Sequence, residues 1–224
     1  MGDFLNVENT KKNKYYFFTF YFIIFFAVNI FSVNINLVPE NPKFSIQGGF
    51  YEDEIIVKLY TKNNYGIYYT LDGSTPDKNS LKYTDPIIVK DRTIEENNYS
   101  SLLGVANVDY IPEEKVAKST VIRAVSIVND VYMSDVVTNT YFVGLDIKNR
   151  YNNLPVISMA TDPDNLFDYD EGIYVRGKDY DKWIEDGGDP NIVEKWTIPA
   201  NYSRKGVETE KPIHIEFYES DGKL

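Results

Sequence analysis

Five acids crowd one short stretch: Asp162, Asp164, Asp168, Asp170 and Glu171. Carboxylate oxygens are what a hard cation such as calcium takes. The spacing argues otherwise. In Asp168-Tyr169-Asp170-Glu171-Gly172 the glycine falls one place too early for an EF-hand loop, and Pro163 spoils a register starting at Asp162. Helix capping and solvated turns account for these acids more simply. The chain has no cysteine and one histidine, His214. Disulfides, thiolate-bound metal, cysteine nucleophiles and multi-histidine sites are thereby excluded. His214 alternates with Ile213 and Ile215, so it lies on the opposite strand face, packed or in solvent rather than acting as a general base. Ser158 and Ser203 lie in no nucleophile-elbow sequence, and neither GxxxxGK[ST] nor GxGxxG occurs. Arg204-Lys205 reads as a solvated loop in an acidic region. Paired carboxylates for glycoside cleavage depend on a separation in space that chain spacing does not give. No catalytic, cofactor-binding or metal-ligating residue is assigned. The one binding set is Tyr68, Tyr69 and Tyr83, whose ring faces could stack on a sugar. Ordinary strand packing is the competing reading, because adjacent Tyr68 and Tyr69 must point to opposite sides.

The elements that would position these residues follow from composition and order. The 224 residues suit one or two domains, and 43% hydrophobic with 25% charged residues is ordinary for a folded chain. A net charge of −11 argues against a nucleic-acid partner, since neutralising phosphates needs surplus Lys and Arg. The basic leader, residues 1–14, carries Lys11, Lys12 and Lys14 against Asp3 and Glu8. An uncharged, aromatic-rich run over residues 15–35 follows, long enough at helical rise to cross a bilayer. It predicts an uncleaved signal anchor with its lysine-bearing end in the cytoplasm. A cleaved signal peptide is the second reading, with only Ala27 and Ser32 near the small-residue pattern such cleavage needs. A buried globular segment is the third. Either of the first two places the bulk of the chain outside the cytoplasm, held at the cell membrane or secreted.

Residues 39–144 read as a β-rich domain. Glu54–Tyr60, Gly66–Leu71, Pro86–Val89, Thr120–Val128 and Val136–Val143 are rich in Val, Ile, Thr and Tyr. Turn signals separate them, among them Gly48-Gly49, Asp72-Gly73-Ser74-Thr75-Pro76 and Asn129-Asp130. Strands at this spacing without helices between them predict an antiparallel, immunoglobulin-like β-sandwich. Asp91–Lys118 is polar and reads as a long loop. The order Pro42-Lys43-Phe44-Ser45, Gly48-Gly49-Phe50-Tyr51, YYTLDGSTP (68–76) and Tyr83 resembles the chitobiase/β-hexosaminidase C-terminal-type sandwich. TVIRA (120–124) and Ser134…Val136…Thr138…Tyr141 match that domain's last strands. The resemblance implies a non-catalytic companion to an extracytoplasmic enzyme.

After a linker at 145–153, residues 154–224 predict an α+β segment. The expected elements are a strand at Leu154–Met159, a short helix capped by Asp162 with Pro163 in its first turn, a strand at Gly172–Gly177 and a strand at Lys211–Tyr218. LPVISMATDPDNLFD (154–168), GIYVRG (172–177), PANYSRKG (199–206) and EKPIHIEFYESDGK (210–223) resemble the start of a CotH-type domain, from a spore-coat family described as atypical protein kinases. For the full-length family the resemblance implies ATP, a divalent metal, and spore-coat or cell-envelope partners. It also implies that the phosphate- and metal-handling residues lie beyond this stretch. The turn signal Glu219-Ser220-Asp221-Gly222 directly follows a strand, so the last domain is expected to be incomplete, with an unpaired edge. The whole reads as the mainly β, membrane-anchored scaffold portion of a CotH-like protein, catalytically silent and without a cofactor of its own. The alternative is a cell-surface module that binds glycan or envelope polymer.

Overall fold

The computed structural model describes residues 38–105, 109–144, 150–151, 154–192 and 195–224. The leader, the apolar run at 15–35 and most of the linker lie outside them. Among the described residues, no helix is long and apolar enough to cross a membrane. Pro39–Leu224 forms one compact unit.

The fold is mainly β. The strands of the first part are β1 (Lys43–Phe44), β2 (Gly49–Tyr51), β3 (Ile55–Val57), β4 (Leu59–Tyr60), β5 (Gly66–Thr70), β6 (Leu81–Lys82) and β7 (Ile87–Val89). β8 (Thr120–Val128), β9 (Tyr132–Met133) and β10 (Val137–Val143) complete it. One sheet runs β2-β10-β8-β5-β6, with β9 pairing β8, and two small pairs, β3-β7 and β1-β4, supply the facing layer. Both layers feed one core: Phe44, Val57, Leu59, Ile67, Val89, Ile122, Ala124 and Tyr141 are all buried in it. The expected run at 54–60 divides at Lys58, where the chain exchanges hydrogen bonds with Ser45 and changes partner from β7 to β1.

The turns behave as their residues require. Asp72 accepts from the backbone N–H of Ser74 at 3.0 Å and from its hydroxyl at 2.6 Å, while Gly73 takes φ +89°. Asn129 and Asp130 sit at φ +53° and +56°, the left-handed pair of a tight hairpin turn between β8 and β9. One pairing departs from the antiparallel expectation. β2 runs parallel to β10, a pairing that needs a long intervening connection, here supplied by all the strands between the first and last members of this sheet.

The second part contains β11 (Val156–Ala160), helix α1 (Pro163–Phe167), helix α2 (Gly177–Glu185) and β12 (His214–Tyr218). Asp162 caps α1 through Asp164 N–H, and its other oxygen accepts Thr75 N–H at 2.7 Å, linking the helix start to the sandwich turn. The strand expected at 172–177 does not form. The backbone N–H groups of Gly172, Ile173 and Tyr174 fold back to the carbonyls of Asp168, Asn165 and Leu166, and Gly177 opens α2 instead. The final strand has a partner on one edge only, in a two-stranded sheet. β12 pairs antiparallel with β11 over its full length, from His214 opposite Ala160 to Tyr218 opposite Val156.

Candidate functional site

The densest polar arrangement lies where the second part covers the outer face of β10. Period-two alternation points Asn139, Tyr141 and Val143 into the sandwich, leaving Thr140 and Phe142 facing outward. Those two are nevertheless buried, because β12 lays Glu216 and Tyr218 over them. Glu216 is only 4% exposed. Its Oε1 accepts Thr140 N–H at 3.1 Å and lies 2.7 Å from the Tyr218 hydroxyl, while Oε2 accepts the Thr140 hydroxyl. Ser158 of β11 completes the chain, its hydroxyl 2.8 Å from that of Thr140. A buried carboxylate is tolerable when neutral donors surround it in this way.

Space for the contact comes from Gly48. A Cβ there would stand 2.4 Å from the Tyr218 oxygen and 2.7 Å from the Thr140 carbonyl, which no side chain allows. Around the polar group lies an aromatic cluster. Phe142 meets Tyr218 edge to face at 5.7 Å and Phe50 at 5.2 Å, and Tyr151 stacks on Phe50 at 5.5 Å. The turn at 219–222 forms as its residues predict, with Gly222 at φ +81°, and the Gly222 carbonyl accepts Phe50 N–H of β2.

Burial pushes the phenols of Tyr141 and Tyr218 far above their ordinary value of 10.0, Tyr51 adding to the first and the Glu216 carboxylate to the second. A phenol whose value rises on folding contributes stability that is intact below pH 10.0 and lost as pH climbs above it. In an alkaline ultraviolet titration, Tyr141 and Tyr218 should therefore ionise only as the β-structure unfolds. Ionisation of all 19 tyrosines near pH 10, with circular dichroism unchanged, would contradict this burial.

A second, more open feature is a cleft of about 450 Å³ between the 92–119 loop and α1, lined by Asp72, Arg92, Tyr99, Lys118, Met159 and Phe167. Tyr99 and Phe167 stack almost parallel at 5.1 Å across it. Both cations are engaged internally. Lys118 donates to the Glu95 and Val116 carbonyls and to Asn97, and Arg92 binds Glu95 and the Ser119 carbonyl.

The three candidate stacking tyrosines are not brought together on one face. Tyr69 and Tyr83 meet edge to face at 6.4 Å, both half-buried against the sandwich core, while Tyr68 turns to the other side of β5. Of the five acids of 162–171, Asp162 caps α1 and holds Thr75, Asp168 accepts the N–H groups of Asp170 and Glu171, and Asp170 pairs with Lys178. Among the described residues no group of three or more His, Asp or Glu side chains is placed to hold a metal ion. Arg204 is no solvated loop residue. It forks onto both oxygens of Asp179 at 2.8 and 2.9 Å and also reaches the buried Asn201. That fork holds the Asp179 carboxyl below its ordinary 3.8. Asn201 in turn donates to the Tyr169 carbonyl and accepts Asp179 N–H. Nothing local in the sequence marks Asn201, which stands three residues before Arg204 in an ordinary polar run.

A protein-family model described as Fn3 associated matches residues 57–141, from the end of β3 into β10, and supports a β-sandwich module over that stretch. No curated protein and no solved structure matches the chain.

Proposed function

We propose that the chain is the extracytoplasmic scaffold portion of a CotH-like protein, anchored in the cell membrane by residues 15–35 and catalytically silent. The sandwich, which resembles the chitobiase/β-hexosaminidase C-terminal type, is its spacer. Residues 154–224, which resemble the opening of a CotH-type domain, are the part it carries. One observation supports this reading above others: the EKPIHIEFYESDGK block lies directly on the sandwich through Glu216, Tyr218 and Gly222. The two resembling segments thus share one buried junction, as spacer and cargo of one unit would. The glycan reading has less support, because Tyr69 and Tyr83 pack on the core.

The test pairs a ligand readout with a location readout. Purified residues 39–224 should show no rise in melting temperature with ATP and magnesium or manganese, and no transfer of label from ATP. Saturating nucleotide that bound the folded state would add about 2.7 kcal/mol at a hundredfold excess over Kd, a shift of several degrees. Such a shift, if dependent on the metal, would overturn the silent assignment. Recovery of the full chain in the soluble cytosol would overturn the anchored one.

A further inference from the structure

Asn-x-Ser/Thr, with any residue but proline in the middle, is the signal for sugar attached to a side-chain amide. The sequence holds it twice, as Asn98-Tyr99-Ser100 and as Asn201-Tyr202-Ser203. The two tripeptides are identical, and only their surroundings separate them. Asn201 is 1% exposed and its amide is fully engaged. Its Nδ2 donates to the Tyr169 and Asp170 carbonyls, while Oδ1 accepts from Asp179 N–H and Arg204. A sugar chain on that nitrogen cannot coexist with the fold. Asn98, Tyr99 and Ser100 are all exposed, and the Asn98 side chain makes no capping bond to the turn at Tyr99–Ser101 that follows it. Its neighbour Asn97 holds the loop instead, donating to the Glu114 carbonyl and accepting from Val116 N–H and Lys118. Glu96, two residues ahead of Asn98, satisfies the longer, acidic form of the signal too, whereas Pro199 stands at that place before Asn201.

We infer that Asn98 is an N-glycosylation site, taking an oligosaccharide from a lipid-linked sugar diphosphate of the membrane through which the chain is exported. The inference rests on the extracytoplasmic part of the reading above, because such donors offer their sugar on the far side of that membrane. In the transfer, Asn98 Nδ2 forms a bond to C1 of the first sugar. The bond from C1 to the diphosphate oxygen breaks, the lipid diphosphate leaves with the electron pair, and one amide proton passes to a base of the transferase. Nothing is oxidised or reduced. The setting suits the modification. The same loop leaves Ile94, Tyr99, Leu103, Tyr110 and Ile111 between 46% and 83% exposed, and a bulky, hydrated substituent among them keeps such a surface from associating.

Trypsin separates the two tripeptides. Cleavage after Arg92 and Lys115 frees the first on peptide 93–115, and cleavage after Lys195 and Arg204 frees the second on peptide 196–204. Mass spectrometry of the full chain from the membrane and secreted fractions of its native cells should find peptide 93–115 heavier by whole sugar residues. Peptide 196–204 should keep its bare mass. Release of the sugar by a glycan-cleaving amidase should leave a carboxyl in place of the amide at position 98, which sets this linkage apart from sugar on Ser100 or Ser101. Asn98→Gln and Ser100→Ala should each abolish the added mass, and Ser100→Thr should keep it. The melting temperature should hold in all three, since the Asn98 side chain caps nothing. A bare peptide 93–115 in exported chain, sugar on a serine instead, or added mass on peptide 196–204 alone would overturn the inference. Recovery of the chain in the soluble cytosol would overturn the export reading and this one together, whereas a bare peptide from exported chain would overturn this one alone.

Discussion

Replacing Tyr218 with alanine should destabilise residues 39–224 by about 4 kcal/mol, the loss expected when a fully buried aromatic is cut to a methyl group and the hole cannot collapse. Tyr218 has no solvent exposure and is, with Phe142, one of the two buried members of the second cluster. The first cluster, between the two layers of the sandwich, does not include it. The damage should therefore be local. Hydrogen exchange ought to lose protection at 156–160 and 214–218 while the central strand, 120–128, stays protected. Tyr218→Phe is the control. It keeps the ring in the cluster and removes only the hydroxyl near Glu216 and the Thr140 carbonyl, a loss of about 1.5 kcal/mol. Equal loss of protection in both regions of the alanine variant would show that the second part is not held by this cluster.

How far the sequence discloses this arrangement depends on what each residue answers to. Thr120–Val128 and Val136–Val143 are legible as strands because β-branched runs between turn residues carry their own signal. Asp72-Gly73 and Asn129-Asp130 are legible as turns because φ and side-chain hydrogen bonds are local matters. Asp162 reads as a cap for the same reason, yet its second bond, to Thr75, joins residues far apart in the chain and has no local trace. GIYVRG fails as a strand because strand residues need a partner to pair with, and the fold offers them α1 carbonyls instead. The site is the least legible part. Alternation sets Glu216 on the face opposite Ile215 and Phe217 but does not say which face is covered. The structure buries the Glu216 face and leaves the apolar one outside, the reverse of ordinary amphipathic packing, with Thr140 of β10 meeting the carboxylate. One local hint existed: TNTYFV in β10 lacks alternation, the mark of a strand covered on both faces.

That reversal leads to the second large effect. Glu216→Leu should cost about 3 kcal/mol in urea unfolding, although it places an apolar residue in a buried position. The reason is the company left behind. Thr140 N–H loses its acceptor in a site with 4% exposure, and the Thr140 and Tyr218 hydroxyls lose the carboxylate and keep only Ser158 and the Thr140 carbonyl. Glu216→Gln should lie between, its oxygen serving some donors while its amide faces others. Adding Thr140→Val to Glu216→Leu should recover at least about 1 kcal/mol, since removing both partners of a buried bond is milder than removing one. Strictly additive losses would mean the two groups are not coupled. The pair also decides orientation. A ribbon bearing Ile157, Met159, Ile215 and Phe217 on one side has every hydrophobic reason to turn that side inward, and a one-residue slip would do it. A slip would carry Glu216 off Thr140 and strand its donors under the ribbon, so the carboxylate selects the face that meets the sandwich. In the Glu216→Leu, Thr140→Val double variant that selection is gone. Labelling of Met159→Cys by a water-soluble maleimide should then fall even where stability has been regained, because part of the population buries the face that now stands outside.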